Sequence, residues 1–180
     1  MTTTFSSAQP SESARLLSEV PYDHPDARHL TQALYREQIA TYGFADDPGD
    51  TPATHFDPPH GLFLIAHRDG IALGCGGIRL LDANTAEIKR MYVAETARGQ
   101  GLGRHILKRL EHHATTCGAT QILLETGARN HNALKLYQHS GYRLRPSYMP
   151  GRDPLINRAL TKQLSTSDNE VSSQPARQTE

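Results

Sequence analysis

The chain has 180 residues, which suits one domain with a substantial core. Nineteen Lys and Arg balance nineteen Asp and Glu, so no global field draws the protein to nucleic acid or to an anionic membrane. The apolar fraction of 37% is ordinary for a globular chain, and no apolar run approaches the roughly 20 residues that a transmembrane helix needs.

The opening MTTTFSSAQPSESAR has no basic segment followed by an apolar one, so no secretory leader is expected. Residues 1–12 and 165–180 are polar and Ser/Thr-rich and are expected to be disordered tails around a single domain at 13–164. Cys75 and Cys117 lie in no CxxC or Cys/His ligand pattern. They read as reduced thiols of a cytoplasmic protein.

Ala14 to Val20 is expected to form a first strand. Pro25-Asp26 opens a helix with Leu30, Leu34 and Ile39 on one face, ending near Tyr42 at Gly43. Residues 43–60 are a long Pro-, Asp- and Gly-containing loop, a length that usually marks a functional or mobile segment. Gly61 to His67, Ile71 to Leu81 and Thr85 to Val93 read as three strands of an antiparallel meander, the first two joined by the turn Arg68-Asp69-Gly70.

Gly101 to about Cys117 is a helix with Leu102, Ile106, Leu107, Leu110 and Ala114 at helical spacing and Gly118 at its C-terminus. Thr120 to Glu125 is nearly continuous in apolar residues, as a buried parallel strand should be. Asn130 or Asn132 caps a further helix ended by Gly141. Tyr142 to Leu144 begins a strand, and Asp153 to Leu164 holds a last strand or a helix. The order predicts a mixed α/β, mostly antiparallel sheet with helices on both faces.

The segment Arg98-Gly99-Gln100-Gly101-Leu102-Gly103 joins a strand to a helix. Its glycines let the backbone approach a ligand closely, and the amides of the helix N-terminus converge there on an anion. Arg98 and Arg104 flank it and can pair with phosphate oxygens. No Gly-Lys-Ser/Thr follows, so it is not a P-loop. The glycine spacing is G-x-G-x-G, not the G-x-G-x-x-G of dinucleotide sites.

The chain resembles the GNAT acetyltransferase superfamily from about residue 13 to 164. That family's loop reads Arg/Gln-x-x-Gly-x-Gly/Ala, and Arg98, Gly101 and Gly103 stand at those positions after the lead-in Met91-Tyr92-Val93. Downstream, Asn130, Ala133, Leu136, Tyr137, Gly141 and Tyr142 match the family's second motif. The resemblance implies acetyl-CoA as co-substrate, with its pyrophosphate on the loop from Arg98 to Arg104, Leu102 included. Its pantetheine arm would run beside the backbone near Met91, Tyr92 and Val93, where a bulge splays the strand from its neighbour. Asn130 would contact the pantetheine or order a water there. Dimers are common in this family, and a homodimer is expected on that ground alone.

Transfer of an acetyl group to an amine needs a base for the amine proton, donors for the oxyanion and an acid for the leaving thiolate. The resemblance implies Glu87 as the base, with burial between Ala86 and Ile88 raising its pKa; the alternative is an ion pair with Lys89. It implies Tyr137 as the acid, a phenol being protonated at neutral pH; the alternative is a packed core aromatic. Lys89 and Arg90 are successive strand residues, so their side chains point to opposite faces and one can face the cleft, where it would favour an acceptor carrying a carboxylate; the alternative is a surface ion pair. Phe44, Phe56 and Pro58-Pro59 in the long loop, and the segment Tyr148 to Pro154, would wall the acceptor pocket. The expected acceptor is a small, amino-acid-like primary amine. Alternatives are a protein or peptide N-terminus, or a non-catalytic acyl-CoA sensor. No metal is expected: His112 and His113 diverge by about 100° on their helix, and there is no HExxH pattern.

Overall fold

The computed structural model describes residues 16–164. Both expected tails, and Ala14 and Arg15 of the first strand, lie outside the described residues. In chain order the elements are β1 (Leu16–Glu19), α1 (Pro25–Tyr42), β2 (Gly61–Arg68), β3 (Ile71–Leu80), β4 (Thr85–Val93), α2 (Leu102–Thr116), β5 (Gln121–Gly127), α3 (His131–His139), β6 (Arg143–Arg145) and β7 (Asn157–Gln163). One seven-stranded sheet orders them β1-β2-β3-β4-β5-β7-β6. Every neighbouring pair is antiparallel except β4 and β5, which run parallel with α2 as their crossover.

Local chemistry sets the helix ends. α1 has Pro25 in its first turn, while the His24 ring accepts a hydrogen bond from the Asp26 amide at 3.2 Å. It stops at Gly43, whose φ of 79° suits glycine. The side chain of Asn130 caps α3 by accepting from the Ala133 amide at 3.1 Å, which decides between the two asparagines. The stretch from Asp153 to Leu164, open to two readings, contributes a strand. Asn157 to Gln163 pair with β5 along its whole length.

Alternation along β2 divides the core. Leu62, Leu64 and Ala66 point into a cluster with Ile106, Leu107 and Leu110 of α2. Phe63 and Ile65 point to the other face, into a cluster with Ala27 and Leu30 of α1. Phe56, expected in an acceptor pocket, belongs to this second cluster. It is 3% exposed and its ring lies 5.3 Å from Phe63 and 4.9 Å from Tyr22. A bulky aromatic in a long loop is as useful for pinning that loop as for binding, and here the Tyr22 hydroxyl also donates to the Pro48 carbonyl at 3.0 Å. Among the described residues no helix is long and apolar enough to cross a membrane.

Gly77 of β3 is where this aromatic cluster leaves no room. A Cβ there would stand 2.4 Å from Phe56 Cε1 and 2.7 Å from Phe63 Cδ2. Gly77→Ala should therefore lower stability by about 1–3 kcal/mol. Urea unfolding reads this as a lower midpoint at unchanged m-value, and an unshifted midpoint contradicts the packing described.

Candidate functional site

The site begins where the sheet stops pairing. β4 and β5 are in parallel register only from Thr85 opposite Gln121 to Ile88 opposite Leu124. Both strands continue, to Val93 and Gly127, without a ladder between them. The cause lies on the other side of β4. Cys75 faces Tyr92 and Gly77 faces Lys89, so the single residue Gly76 opposes both Arg90 and Met91. Arg90 takes a φ of 59°, which a non-glycine residue adopts only when its surroundings hold it. They do hold it. Its guanidinium donates to the carbonyls of Asp46 and Asp47, each at 3.1 Å, and to Thr51 Oγ1 at 2.7 Å, while its own carbonyl accepts from Cys75 Sγ at 3.3 Å.

The splay opens a cleft of about 630 Å3, walled by the free ends of β4 and β5, the loop before α2, and α3. Its floor includes Met91, Tyr92 and Val93, and Asn130 and Tyr137 line its far side. Gly99 and Gly101 have φ of 73° and 80°, with open space where a Cβ would stand. Gly101 is the N-cap of α2 and gives it no side-chain acceptor. The first amides of α2 thus lack the usual capping oxygen and open towards the cleft. Gly103 lies close against α3. A Cβ there would meet Leu136 Cδ2 of α3 at 3.3 Å. Leu102 lines the cleft but is 3% exposed and belongs to the core.

Arg98 and Gln100 both have partners within the protein, and Arg98 also lines the cleft. Arg98 is already engaged: its Nη2 contacts both carboxylate oxygens of Glu37 on α1 at 2.7 and 2.8 Å, and its Nε donates to the Val93 carbonyl at 2.9 Å. The Tyr92 hydroxyl joins this cluster, donating to Glu37 at 3.0 Å. Burial and the Glu37 charge push that phenol up to about 12. Arg98 therefore ties α1 to the loop. Gln100 turns away from the cleft and donates to the Thr96 carbonyl at 3.2 Å. Arg104 is exposed at the cleft mouth and, among the described residues, has no carboxylate at salt-bridge distance.

A smaller pocket of about 120 Å3 adjoins the cleft through shared walls at Ile88, Lys89, Arg90 and Glu125. Glu87 lies at its base, 2% exposed. One carboxylate oxygen, Oε2, is held by Arg79 from the facing strand, with Nε at 2.8 Å and Nη2 at 2.7 Å. The other, Oε1, accepts from the Tyr148 hydroxyl at 2.9 Å, with Lys89 Nζ at 3.6 Å. The main ion-pair partner of Glu87 is thus Arg79, which sequence spacing did not single out, with Lys89 second. Arg152 bridges the pocket rim, contacting Asp46 from one loop and Glu125 from β5 at 3.4 Å. Phe44 lines this pocket; Phe56 does not. Lys89 and Arg90 both line it, where strict alternation would admit one, because Arg90 is itself a residue of the bulge and its positive φ breaks the alternation.

Tyr137 is 4% exposed, packed edge-on against Tyr142 at 5.7 Å, and lines the cleft. Burial raises its pKa well above the ordinary phenol value. It is a core aromatic and a cleft residue at once. Among the described residues no group of three or more His, Cys, Asp or Glu could hold a metal ion.

Residues 26–142 match the acetyltransferase (GNAT) family. An IAA acetyltransferase of Azospirillum brasilense is 41% identical over 95 residues, spanning 52% of this chain and 62%, a little under two thirds, of that protein. An uncharacterized N-acetyltransferase of Schizosaccharomyces pombe is 29% identical over 134 residues, 72% of this chain and 82% of that one. Among solved structures, a Klebsiella pneumoniae protein assigned by inference to the acyl-CoA N-acyltransferases superposes with a TM-score of 0.72 at 27% identity, over 85% of this chain and 99% of that one. A GNAT family acetyltransferase from Elizabethkingia anophelis, solved with acetyl-CoA bound, shares the fold with a TM-score of 0.60 at 22% identity, over 83% and 98% of the two chains.

His55 lies against the Arg79 guanidinium at 2.7 Å, and its pKa is held below the ordinary histidine value by burial first, then by Arg79 and Lys89, with Glu87 opposing. His113 in α2 is lowered too, by burial, then Arg109, with Glu19 opposing and His112 adding. Below the unfolded value of about 6.5 the unfolded chain binds more protons than the folded one, so stability falls as pH drops from there and levels off only below the folded values. The urea midpoint should fall between about pH 7 and about pH 5, and less steeply in a His55→Asn, His113→Asn double variant. Equal slopes for the two proteins would rule out this contribution.

Proposed function

Because the chain belongs to the acetyltransferase (GNAT) family, we propose that it transfers the acetyl group of acetyl-CoA to the primary amine of a small, amino-acid-like molecule. The observation that carries this reading is the continuity of two cavities. A long cleft with the uncapped N-terminus of α2 at one end runs past the splayed strands into a small charged pocket with a buried carboxylate.

The residues present fit acetyl-CoA. The uncapped amides of α2, with Gly99, Gly101 and Arg104, would hold the pyrophosphate. Backbone groups of β4 beyond the bulge have no strand partner on the β5 side and would hold the pantetheine arm beside Met91 and Val93. Asn130 spends its side-chain oxygen on the cap of α3, which leaves its NH2 group for the same arm. The thioester supplies the activated acetyl group. Tyr137 keeps its proton at neutral pH and would give it to the departing thiolate. Glu87 would receive the amine proton.

The acceptor class follows from charge and size. Lys89 and Arg90 both border the small pocket, and Arg90 bonds to carbonyls and a hydroxyl with no carboxylate at salt-bridge distance among the described residues. An acceptor with a carboxylate near its amine would complement that charge. A pocket of about 120 Å3 is small, which favours a small molecule over a buried peptide segment.

Calorimetry with acetyl-CoA, followed by thiol release over a panel of amino acids and small primary amines, tests the proposal. We expect binding, and turnover with at least one carboxylate-bearing amine. No binding would sink the cofactor assignment, and binding with no turnover of any amine would favour a sensor. Gly101→Val should weaken acetyl-CoA binding by at least about tenfold, or about 1.4 kcal/mol, by strain at a positive φ and by filling the pyrophosphate's space. Tyr137→Phe and Glu87→Gln should instead each lower kcat by roughly 10²–10⁴-fold at unchanged acetyl-CoA affinity. Full activity in both variants would remove these roles while leaving the class intact.

A further inference from the structure

Glu87 is well placed to take a proton and poorly placed to touch an amine. It is 2% exposed. Arg79 grips Oε2 from two nitrogens, so only Oε1 is turned towards the pocket. That oxygen is covered by the Tyr148 hydroxyl at 2.9 Å, with Lys89 Nζ at 3.6 Å beside it. Lys89 and Tyr148 line the same pocket. An ammonium on Lys89 has only protons to donate and no lone pair, so it cannot accept one. A phenol can accept with its oxygen while donating its own proton.

We propose that Tyr148 is the group that meets the acceptor amine and relays its proton to Glu87. This rests on the reading of Glu87 as the base. The amine nitrogen forms a bond to the acetyl carbonyl carbon, and the C–S bond of the thioester breaks. The proton on the acylated nitrogen passes to Tyr148 Oη as the original Tyr148 proton passes to Glu87 Oε1. Tyr148 ends as it began, Glu87 ends protonated, and the thiolate takes its proton from Tyr137. Solvent then removes the proton from Glu87 and restores the one on Tyr137, so the net reaction is amine plus acetyl-CoA giving amide plus CoA thiol. Burial, and next the adjacent Glu87 charge, raise the Tyr148 pKa far above the ordinary phenol value. The residue therefore stays neutral and serves as a relay, not as a standing base. Its position is held from several sides. The Tyr148 ring takes the Arg145 guanidinium over its face at 5.7 Å, and the neighbouring Ser147 hydroxyl donates to Glu125 at 2.7 Å.

The test compares Tyr148→Phe, Glu87→Gln and the double variant, using the amine turned over fastest in the panel above. Acetyl-CoA affinity by calorimetry and the thermal midpoint serve as fold controls. Two groups acting in series should each cost roughly 10²-fold or more in kcat, and the double variant should be no slower than the slower single one. If Glu87→Gln is slow but Tyr148→Phe keeps or exceeds wild-type kcat, the tyrosine only covers the base; the relay fails and the base assignment stands. If Tyr148→Phe is slow but Glu87→Gln is not, Glu87 is not the terminus and both readings fail. Multiplicative losses in the double variant also overturn the relay, because they place the two groups on separate steps.

Discussion

Between Ile88 and Leu124 the parallel ladder of β4 and β5 ends, while both strands run on. That interruption is the constraint on which the rest of the molecule depends. A backbone that leaves its ladder inside a protein must find other partners. Here the partners would come from a ligand, and the surrounding elements are arranged to keep the gap open. The bulge at Arg90 turns β4 away, at the cost of a positive φ. Three hydrogen bonds from its guanidinium to the loop at residues 46–51 stabilise the turn. The long loop thus has a mechanical role: it anchors the bulge from outside the sheet.

Helix α1 spans the same gap from above. Near its end, Glu37 holds Arg98 of the glycine loop and Tyr92 of β4. One turn later, the Tyr42 hydroxyl accepts from the Arg129 amide, and Arg129 donates to the Thr41 carbonyl, on the β5 side. Gly127 makes room for this crossing, since a Cβ there would stand 2.1 Å from the Tyr42 hydroxyl. One rigid element therefore touches both lips of the splay and lines both cavities. Its position links the width of the cleft to the shape of the small pocket.

Most of the fold was legible because its signals are local. Glycines stop α1 and α3, Asp69-Gly70 turns β2 into β3, and the apolar run of β5 announces its burial. The glycine loop and the Asn130 to Tyr142 motif also lay where the sequence placed them. What the sequence did not show depends on contacts between distant segments. Arg98 beside three glycines reads as a phosphate ligand, and nothing local shows that Glu37, 61 residues earlier, claims it. Phe56 reads as pocket because it sits in a loop, but two aromatics from elsewhere draw it into the core. Alternation assigns Lys89 and Arg90 to opposite faces, and a one-residue bulge overrides it. Arg79 and Tyr148 were not singled out as partners of Glu87 because one is a cross-strand neighbour and the other lies 61 residues on.

The central claim is that the splay is a cofactor site, with an anion at the start of α2 and a chain beside β4. Amide hydrogen exchange with and without acetyl-CoA tests it most directly. The account predicts new protection at the first amides of α2, Leu102 to Arg104, and along Met91 to Val93, with little change in β1 or β6. Protection elsewhere, or none at these two segments under saturating acetyl-CoA, would contradict it.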